Sequence, residues 1–415
     1  MESLSWLQIF GKMLEAFLPV WISMAVVFGL SIFFKARLSL YGRLFDSTVG
    51  MIGFAIILFW VFTAIWASSI APFDALEQIS GLKNKKPGVP VPNMDGMYYL
   101  LGGDNLARDV FSRMVYGSQT VLRIAPAATL FAFLVGVTLG LPAGYFSGRL
   151  DTTLSFLANL VLAFPVILLF YLLVTPEIRQ TGVITWVSAV LFIFPIIFFV
   201  VLIYSRFFTR SGILFFFGAP VALVMFLIYL GTVFEWDPFI WSWTGFMSYV
   251  NQGNPIAEWV ETTRANYRPW FALPLDANAL NIFVSVVFVN SPTVFRIVRG
   301  LTMDIKTRDY VAAAQTRGEG AWYIMLWEIL PNARGPLIVD FCLRIGYTTI
   351  LLGTLGFFGL GVSPESPDWG MTINEGRKLL TIYPHPALPP AIALMSLVLG
   401  LNLLADGLRE ESLKD

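Results

Sequence analysis

The sequence predicts an all-α protein that crosses a membrane several times, and three observations predict this fold class. Of its 415 residues, 57% are hydrophobic and only 13% are charged, whereas soluble domains average about 25% charged residues. The mean hydropathy is +0.72. Nine stretches that lack Asp, Glu, Lys and Arg are long enough for a helical crossing, which takes about 20 apolar residues.

The charged, cysteine and histidine residues exclude several other classes of protein. The chain carries 27 basic and 27 acidic residues, so no net positive charge attracts nucleic acid. A single cysteine, Cys342, excludes a disulfide framework. A single histidine, His385, argues against a histidine-ligated metal centre. We therefore expect no nucleic-acid partner, no metal site and no cofactor.

The predicted spans follow one another along the chain. In chain order, spans one to nine are residues 16–34, 47–73, 124–148, 152–176, 180–205, 211–234, 277–295, 345–364 and 379–405. A further stretch without charges, 238–257, is too polar to span. Its tryptophans are typical of the membrane–water interface, so we expect it to lie there.

Basic residues near the ends of the spans predict the orientation of the chain. Cytoplasmic loops carry an excess of Lys and Arg, and residues 35–46, 299–335 and the C-terminus fit this pattern. The C-terminus is then cytoplasmic and the N-terminus external. Residues 74–119 would be external although they carry Lys and Arg, because long loops cross largely regardless of charge.

The loop between spans seven and eight predicts two short helices. Thr302 is of a type that caps helix N-termini, and Gly318 suits a left-handed helix end. A second helix would begin at Ala321 and end before Pro331, because proline breaks the helical ladder. Three consecutive alanines at 312–314 would let another backbone approach. The loop is either an amphipathic helix resting on the membrane or a docking helix that another protein grips and moves.

Small and polar residues within the spans predict how two of them pack. Gly136 and Gly140 lie four residues apart in span three, a spacing that lets helices touch. We expect this seam to face span seven or a partner protein. Span seven is the least apolar, with Asn281, Asn290 and Ser291. Since polar groups within spans face protein or water, we predict that these three residues line a pathway.

Charged residues outside or at the ends of spans predict two further features. Asp104, Arg108, Asp109 and Arg113 recur on one side of a helix, and such a helix would lie on the membrane surface. The residues alone indicate a solvated amphipathic helix. At the start of span eight, Asp340 and Arg344 lie four apart and can form an ion pair.

The loop also carries a family resemblance. The stretch from Tyr310 to Gly318, followed by Ile329 to Asn332, resembles the coupling loop of ABC importer permeases. It is most similar to the C-type subunit of dipeptide, oligopeptide and nickel importers. Four other segments resemble the same subfamily, in the same order: 101–117, 356–361, 364–377 and 402–409.

The resemblance implies a division of the chain around a type I permease core of six transmembrane helices. Spans two, three, four, seven, eight and nine correspond to this core. Residues 1–46 are then an extra N-terminal span with a cytoplasmic linker, and 47–174 are the first half of the core. Residues 175–276 are an inserted segment with two spans and an external aromatic-rich loop, and 277–415 are the second half.

The resemblance also implies which residues act. The ATPase-coupling loop comprises Asp309, Tyr310, Ala312, Ala313, Ala314, Gly318, Glu328, Leu330, Pro331 and Asn332. The outer gate or docking surface comprises Asp104, Arg108, Asp109, Arg113, Pro367, Trp369 and Gly370. Three positions depart from the family pattern: Ala312 and Leu352 stand where acidic residues are usual, and Glu328 replaces a usual histidine.

The implied function is that of a permease subunit in an ATP-driven, binding-protein-dependent importer of peptides or similar solutes. The chain has no Gly-x-x-x-x-Gly-Lys-[Ser/Thr] motif, the loop that cradles nucleotide phosphates, so partner ATPases would hydrolyse the nucleotide. The implied partners are two ATPases, a second permease, an external solute-binding protein and membrane lipid, in a bacterial inner membrane. Two alternatives are a self-sufficient ion-coupled secondary transporter and a membrane-embedded enzyme, which would need catalytic groups within its spans.

Overall fold

The computed structural model describes residues 3–37, 41–42, 44–175, 177–178, 181–208, 210–234, 277–360 and 366–412. The predicted interfacial stretch 238–257 lies outside the described residues. The chain forms two compact units, of which the first comprises residues 1–130 and 334–415 and the second comprises residues 131–333. Each unit is described in turn.

The described residues are almost entirely helical, which confirms the predicted fold class. In chain order the helices are α1 (Trp6–Ala16), α2 (Leu18–Phe33), α3 (Thr48–Ile65), α4 (Ala67–Ile70), α5 (Val110–Phe146), α6 (Gly148–Leu162), α7 (Val166–Val174), α8 (Val183–Phe207), α9 (Ala219–Val233), α10 (Ala277–Ile305), α11 (Asp309–Thr316), α12 (Arg334–Phe357), α13 (Trp369–Arg377) and α14 (Leu388–Ser412). A π-helical segment, Leu214–Gly218, precedes α9.

Seven of the helical segments in the described part of the chain are long and apolar enough to cross a membrane, or up to nine if each of two bent pairs is one span. The bent pairs correspond to predicted spans one and four. The α1 and α2 axes differ by 54°, and those of α6 and α7 by 82°. The second bend lies at Pro165, which cannot donate the backbone hydrogen bond that would continue α6.

The first unit is built around α14, which packs along α3 and α12. The seam with α3 depends on glycine, because a β-carbon on Gly53 would lie 2.4 Å from the Leu404 nitrogen. The helix α13 packs on α12 and α14. The segment before α5 folds around two short antiparallel strands, β1 (Val89–Pro90) and β2 (Tyr98–Tyr99).

The second unit centres on α10, whose most apolar window is 78% buried. It packs against α6, α7 and α8. The part of α5 within this unit lies against it through the predicted glycines. A β-carbon on Gly136 would lie 2.5 Å from Val294, and one on Gly140 would lie 2.8 Å from Val298. The partner of the predicted seam is therefore span seven.

Candidate functional site

The candidate site is the loop between α10 and α12, which contains α11. Gly318 ends this helix with a φ of +80°, the left-handed conformation that the sequence predicted. Val311 and Ala314 are fully buried, and α11 packs on the chain that follows it. The opposite face is exposed and comprises Asp309, Tyr310, Ala312, Ala313 and Gln315. One face of α11 thus packs against the loop, and the opposite face is free to contact a partner.

The prediction that Thr302 begins a helix is wrong. The helix α10 continues through this residue to Ile305, and the Thr302 hydroxyl donates to the Val298 carbonyl oxygen at 2.7 Å. Thr302 is buried, and a β-carbon on Gly144 would lie only 2.7 Å from it. Packing against α5 therefore extends α10 beyond the capping signal.

The return segment, residues 321–332, differs from the prediction at its end. It runs as one α-helical turn from Ala321, a π-helix over Ile324–Ile329, and a last α-helical turn over Leu330–Asn332. The prediction that the helix ends before Pro331 is wrong, because this proline lies in the first turn of the last piece, where a missing N–H is tolerated.

The end of α11 is tied to the return segment by an ion pair. Arg317 Nη2 lies 2.9 Å from Glu328 Oε1, and the Asn332 amide donates to the Glu328 backbone carbonyl at 2.6 Å. Leu330 is half-buried, whereas Pro331 and Asn332 are exposed. The glutamate that departs from the family pattern thus holds the two arms of the loop together.

On its other side the loop is fastened to the turn between α5 and α6. Lys306 Nζ donates to the carbonyl oxygen of Gly144 at 2.8 Å and to the Ser147 hydroxyl at 2.9 Å. Arg299 forms a bidentate ion pair with Asp151. No local pattern in the sequence marks these contacts, because the partners lie about 150 positions apart.

A second cluster of charged residues lies before and at the start of α5, in the first unit. Arg108 Nε lies 2.7 Å from Asp104 Oδ2, and its guanidinium also pairs with Glu375 of α13. Arg113 Nη2 lies 3.6 Å from the same glutamate and donates to Thr372 at 3.2 Å. The two arginine side chains are 4% and 0% exposed, so the cluster joins α13 to the segment that precedes α5.

The prediction of a surface helix over Asp104 to Arg113 is wrong. The Asp104 carboxylate accepts hydrogen bonds from the backbone N–H groups of Leu106 and Arg108. Such local bonds favour a turn over a helix, and α5 begins only at Val110. The predicted docking side chains here are buried and stabilise the fold of this segment.

Two aspartates beside this cluster have perturbed protonation. Burial raises the pKa of Asp109 to about 7 and that of Asp368 to about 6, because both carboxyl groups lose their hydration. Asp109 Oδ2 accepts hydrogen bonds from the Ser112 nitrogen and hydroxyl at 2.9 and 2.7 Å. Its Oδ1 is buried without a hydrogen-bond partner among the described residues.

The other predicted docking residues also pack inside the first unit. Trp369 is fully buried, donates from Nε1 to the Met114 carbonyl at 2.8 Å, and stacks edge-on against Trp60. A β-carbon on Gly370 would lie 2.2 Å from the Gly353 oxygen. Pro367 is half-buried beside Gly117. Through these residues α13 packs against α5 and α12.

The polar residues of span seven lie within α10 and are buried. The Ser291 hydroxyl donates to the Val287 carbonyl at 2.5 Å, and the Asn290 amide donates to that of Val286 at 3.0 Å. Asn281 Oδ1 is buried without a hydrogen-bond partner in the described part of the chain. The three residues thus face protein, and two bond to their own helix.

Within the described ranges, no group of three or more His, Cys, Asp or Glu side chains could hold a metal ion. In the same ranges, the Asp340 carboxylate and the Arg344 guanidinium form the predicted pair at 2.7 Å.

Comparison with known proteins identifies what the chain is similar to. The family model described as "binding-protein-dependent transport system inner membrane component" matches residues 205–410. A glutathione transport system permease protein of Pectobacterium atrosepticum is 26% identical over 85% of this chain and 83% of its own length. A dipeptide transport system permease protein of Haemophilus influenzae is 25% identical over 87% of this chain and 88% of its own.

Proposed function

We propose, for a chain that is an ABC importer permease of the peptide transport family, that the loop carrying α11 couples the movement of partner ATPases to the opening of a solute pathway. The chain belongs to a multi-pass inner-membrane family of permeases, and its function is that of the permease component in a binding-protein-dependent system. This function is favoured over that of a self-sufficient secondary transporter.

One observation supports the coupling role above all others. One face of α11 is buried and carries Val311 and Ala314, whereas Ala312 and Ala313 are exposed. Small side chains let a partner backbone approach closely, as at other helix contacts. A helix that is packed on one face and exposed on the other can transmit the movement of a partner bound to its exposed face. Rigid displacement of such an element converts a local event into alternating access.

The anchoring of α11 supports transmission into the spans. Lys306 and Arg299 connect the loop to the turn between α5 and α6, and Glu328 connects α11 to the chain that leads into α12. A displacement of α11 would therefore be carried to helices on both sides of the loop. We propose that the partners are two ATPases, a second permease and an external solute-binding protein.

The excess of basic residues supports a cytoplasmic position for this loop and for the C-terminus, with the N-terminus external. The buried cluster around Arg108 and Glu375 would then lie on the external side. In this proposal it maintains the shape of the surface on which a binding protein docks, and its own side chains do not touch that protein. The names of the relatives support peptides as solutes.

The test is uptake of a labelled dipeptide and of glutathione into liposomes that contain the chain with its co-expressed partners. We expect uptake to require ATP, and the chain alone to transport neither solute. Gly318→Trp adds bulk to the exposed end of α11, where a β-carbon meets nothing within 4 Å. Because the φ of +80° at this position disfavours most side chains, Gly318→Asn, which tolerates this conformation better, is the control. Uptake by the chain alone, or unchanged uptake with Gly318→Trp in the complete importer, contradicts the proposal.

A further inference from the structure

The C-terminal end of α8 lies against the return segment. The helix α8 belongs to the segment predicted to be inserted, and except for its last three residues it precedes the region that the family model matches. It nevertheless packs on the turn Ala321–Tyr323. The family model thus begins at the two residues of α8, Ser205 and Arg206, that contact the loop proposed to couple the ATPases, and it leaves out the rest of the helix.

Three contacts converge at this junction. The Arg206 guanidinium lies over the Trp327 ring, 4.9 Å from its centroid, a distance at which a cation is attracted to the ring face. Arg206 Nη1 also donates to the Tyr323 hydroxyl at 3.4 Å. The Trp327 indole N–H donates to the Ser205 hydroxyl at 3.1 Å. Two adjacent residues of α8 thus contact Tyr323 and Trp327, which lie one helical turn apart in the return segment.

The geometry of Ser205 fits this role. Its hydroxyl proton is directed to the Leu202 carbonyl oxygen at 2.9 Å, which leaves the oxygen lone pairs free to accept from Trp327. The hydroxyl is therefore fixed by its own helix before it meets the indole. An acceptor that is already oriented loses less freedom when the contact forms.

The junction continues directly to α11. Glu328, the residue after Trp327, pairs with Arg317 at the end of α11. Deeper in the second unit, α8 is fixed by Phe192, which is 5% exposed and lies 5.1 Å from the Phe131 ring. The helix α8 is thus packed into the unit at Phe192. At its C-terminal end it is joined to α11 through Trp327 and Glu328, which are adjacent in the chain.

A cavity of about 560 Å³ separates the end of α8 from the tip of the loop and is lined by Tyr204, Phe208, Gly318 and Trp322, among others. The face of α11 that carries Tyr310, Ala312 and Ala313 stays exposed although α8 touches the return segment. A partner can therefore occupy that face while the junction is intact.

We infer that α8 is a brace of the coupling loop, in which Arg206 and Ser205 position the return segment through Trp327 and so keep α11 aligned for its partner. This inference rests on the proposed coupling function. Arg206 and Ser205 are positioning residues, since they act through their contacts with Trp327. Loss of the brace should let the ATPases turn over while less of their motion reaches the spans.

The experiment measures solute transported per ATP hydrolysed by the complete importer, together with recovery of the assembled complex. Arg206→Ala should lower this ratio by about two- to fivefold, the effect expected of one exposed cation–π contact, while assembly is unchanged. Arg206→Lys retains a cation and should restore much of the ratio. Arg210→Ala is the matched control, since its side chain is exposed beyond the end of the same helix, and it should leave the ratio unchanged.

A double-mutant cycle keeps the test independent of any general loss of stability. Ser205→Ala and Trp327→Phe each remove one side of the same hydrogen bond, so the double variant should be no worse than the worse single variant. Additive effects, or an Arg206→Ala ratio equal to that of Arg210→Ala, overturn the brace.

The Gly318→Trp variant separates failure of the brace from failure of the coupling function. If Gly318→Trp abolishes uptake, Gly318→Asn retains it, and Arg206→Ala behaves like Arg210→Ala, the coupling function stands and only the brace is overturned. If Gly318→Trp transports at the wild-type rate, the coupling function fails and the brace fails with it.

Discussion

The ammonium group of Lys306, the residue after α10, donates to the carbonyl oxygen of Gly144 at 2.8 Å and so caps the C-terminal end of α5. It also reaches the Tyr145 carbonyl and the Ser147 hydroxyl at 3.3 and 2.9 Å, which gives each of its three protons an acceptor. A cation at this end of a helix interacts favourably with the helix dipole. One side chain therefore joins the base of the proposed coupling loop to a core span.

Lys306→Met tests the importance of this cap. The variant leaves the carbonyl oxygens without their charged donor, so we expect a loss of about 1–3 kcal/mol in stability. Amide hydrogen exchange should become faster in residues 143–147 and at the start of α11. The control is Lys378→Met, whose side chain is exposed at the end of α13. Equal exchange in both variants would contradict the role assigned to Lys306.

The left-handed backbone of Gly318 makes a second prediction that is independent of docking. A β-branched residue in this conformation costs roughly 1–2 kcal/mol, whereas asparagine tolerates it better. Gly318→Val should therefore loosen the end of α11 and lower ATP-driven uptake, and Gly318→Asn should retain most of it. Uptake assays and circular dichroism of the purified variants distinguish the two, and similar activity of Val and Asn would refute the conformational argument.

Glu375 is the acid that two buried arginines share. Replacing it with glutamine leaves Arg108 and Arg113 with less compensating charge, and removal of one partner from a buried pair typically costs about 3 kcal/mol. Glu375→Gln should thus lower the melting temperature in detergent by several degrees. Glu77→Gln, which changes an exposed glutamate of the same unit, should have no measurable effect. If the two variants melt together, the cluster does not stabilise the unit.

Asp109 predicts a pH dependence of this same region. Its pKa is raised by burial from 3.8 to about 7, so the folded chain binds a proton between these pH values that the unfolded chain releases. The contribution of Asp109 to stability is therefore complete below about pH 4 and is lost as the pH rises through about 7. Melting temperatures from pH 5 to pH 8 should fall in the wild type and fall less in Asp109→Asn. A wild-type melting temperature that rises over this interval would show that the sign is wrong.

Local patterns in the sequence predicted local structure well. The absence of charge marked the apolar spans, and the left-handed end at Gly318 followed from the absence of a side chain. The Asp340–Arg344 pair is confirmed at 2.7 Å, because residues four apart on a helix are neighbours whatever the fold. These features need only the geometry of one helix, which is why sequence alone sufficed.

Features that depend on tertiary contacts were predicted less well. The helix α5 begins at Val110, whereas span three was predicted from residue 124. Charge does not end this helix, because Arg113 is paired with Glu375 of another helix and Arg123 is exposed on the helix surface. The helix α10 passes Thr302 because it packs against Gly144. The junction of Arg206 with Trp327 joins residues far apart in the chain, and no periodicity records such a pair.

The seam between α3 and α14 offers a last prediction, in which one glycine serves as the control for another. A β-carbon on Gly53 would lie 2.4 Å from the Leu404 nitrogen and 2.7 Å from the Gly400 oxygen, both of which are backbone atoms that cannot rotate away. At Gly29, in the last third of α2, a β-carbon meets nothing within 4 Å. Gly53→Ala should therefore force the two helices apart and cost about 1–3 kcal/mol, as overpacking usually does.

Gly29→Ala should be neutral or stabilise the protein by up to about 1 kcal/mol, since alanine favours helix more than glycine does. Thermal unfolding of both variants in the same detergent measures the difference directly. Because the two substitutions are chemically identical, helix propensity alone predicts the same small gain at both sites. A lower melting temperature for Gly53→Ala only is thus the result expected of close backbone packing, and equal melting temperatures would show that this seam relaxes.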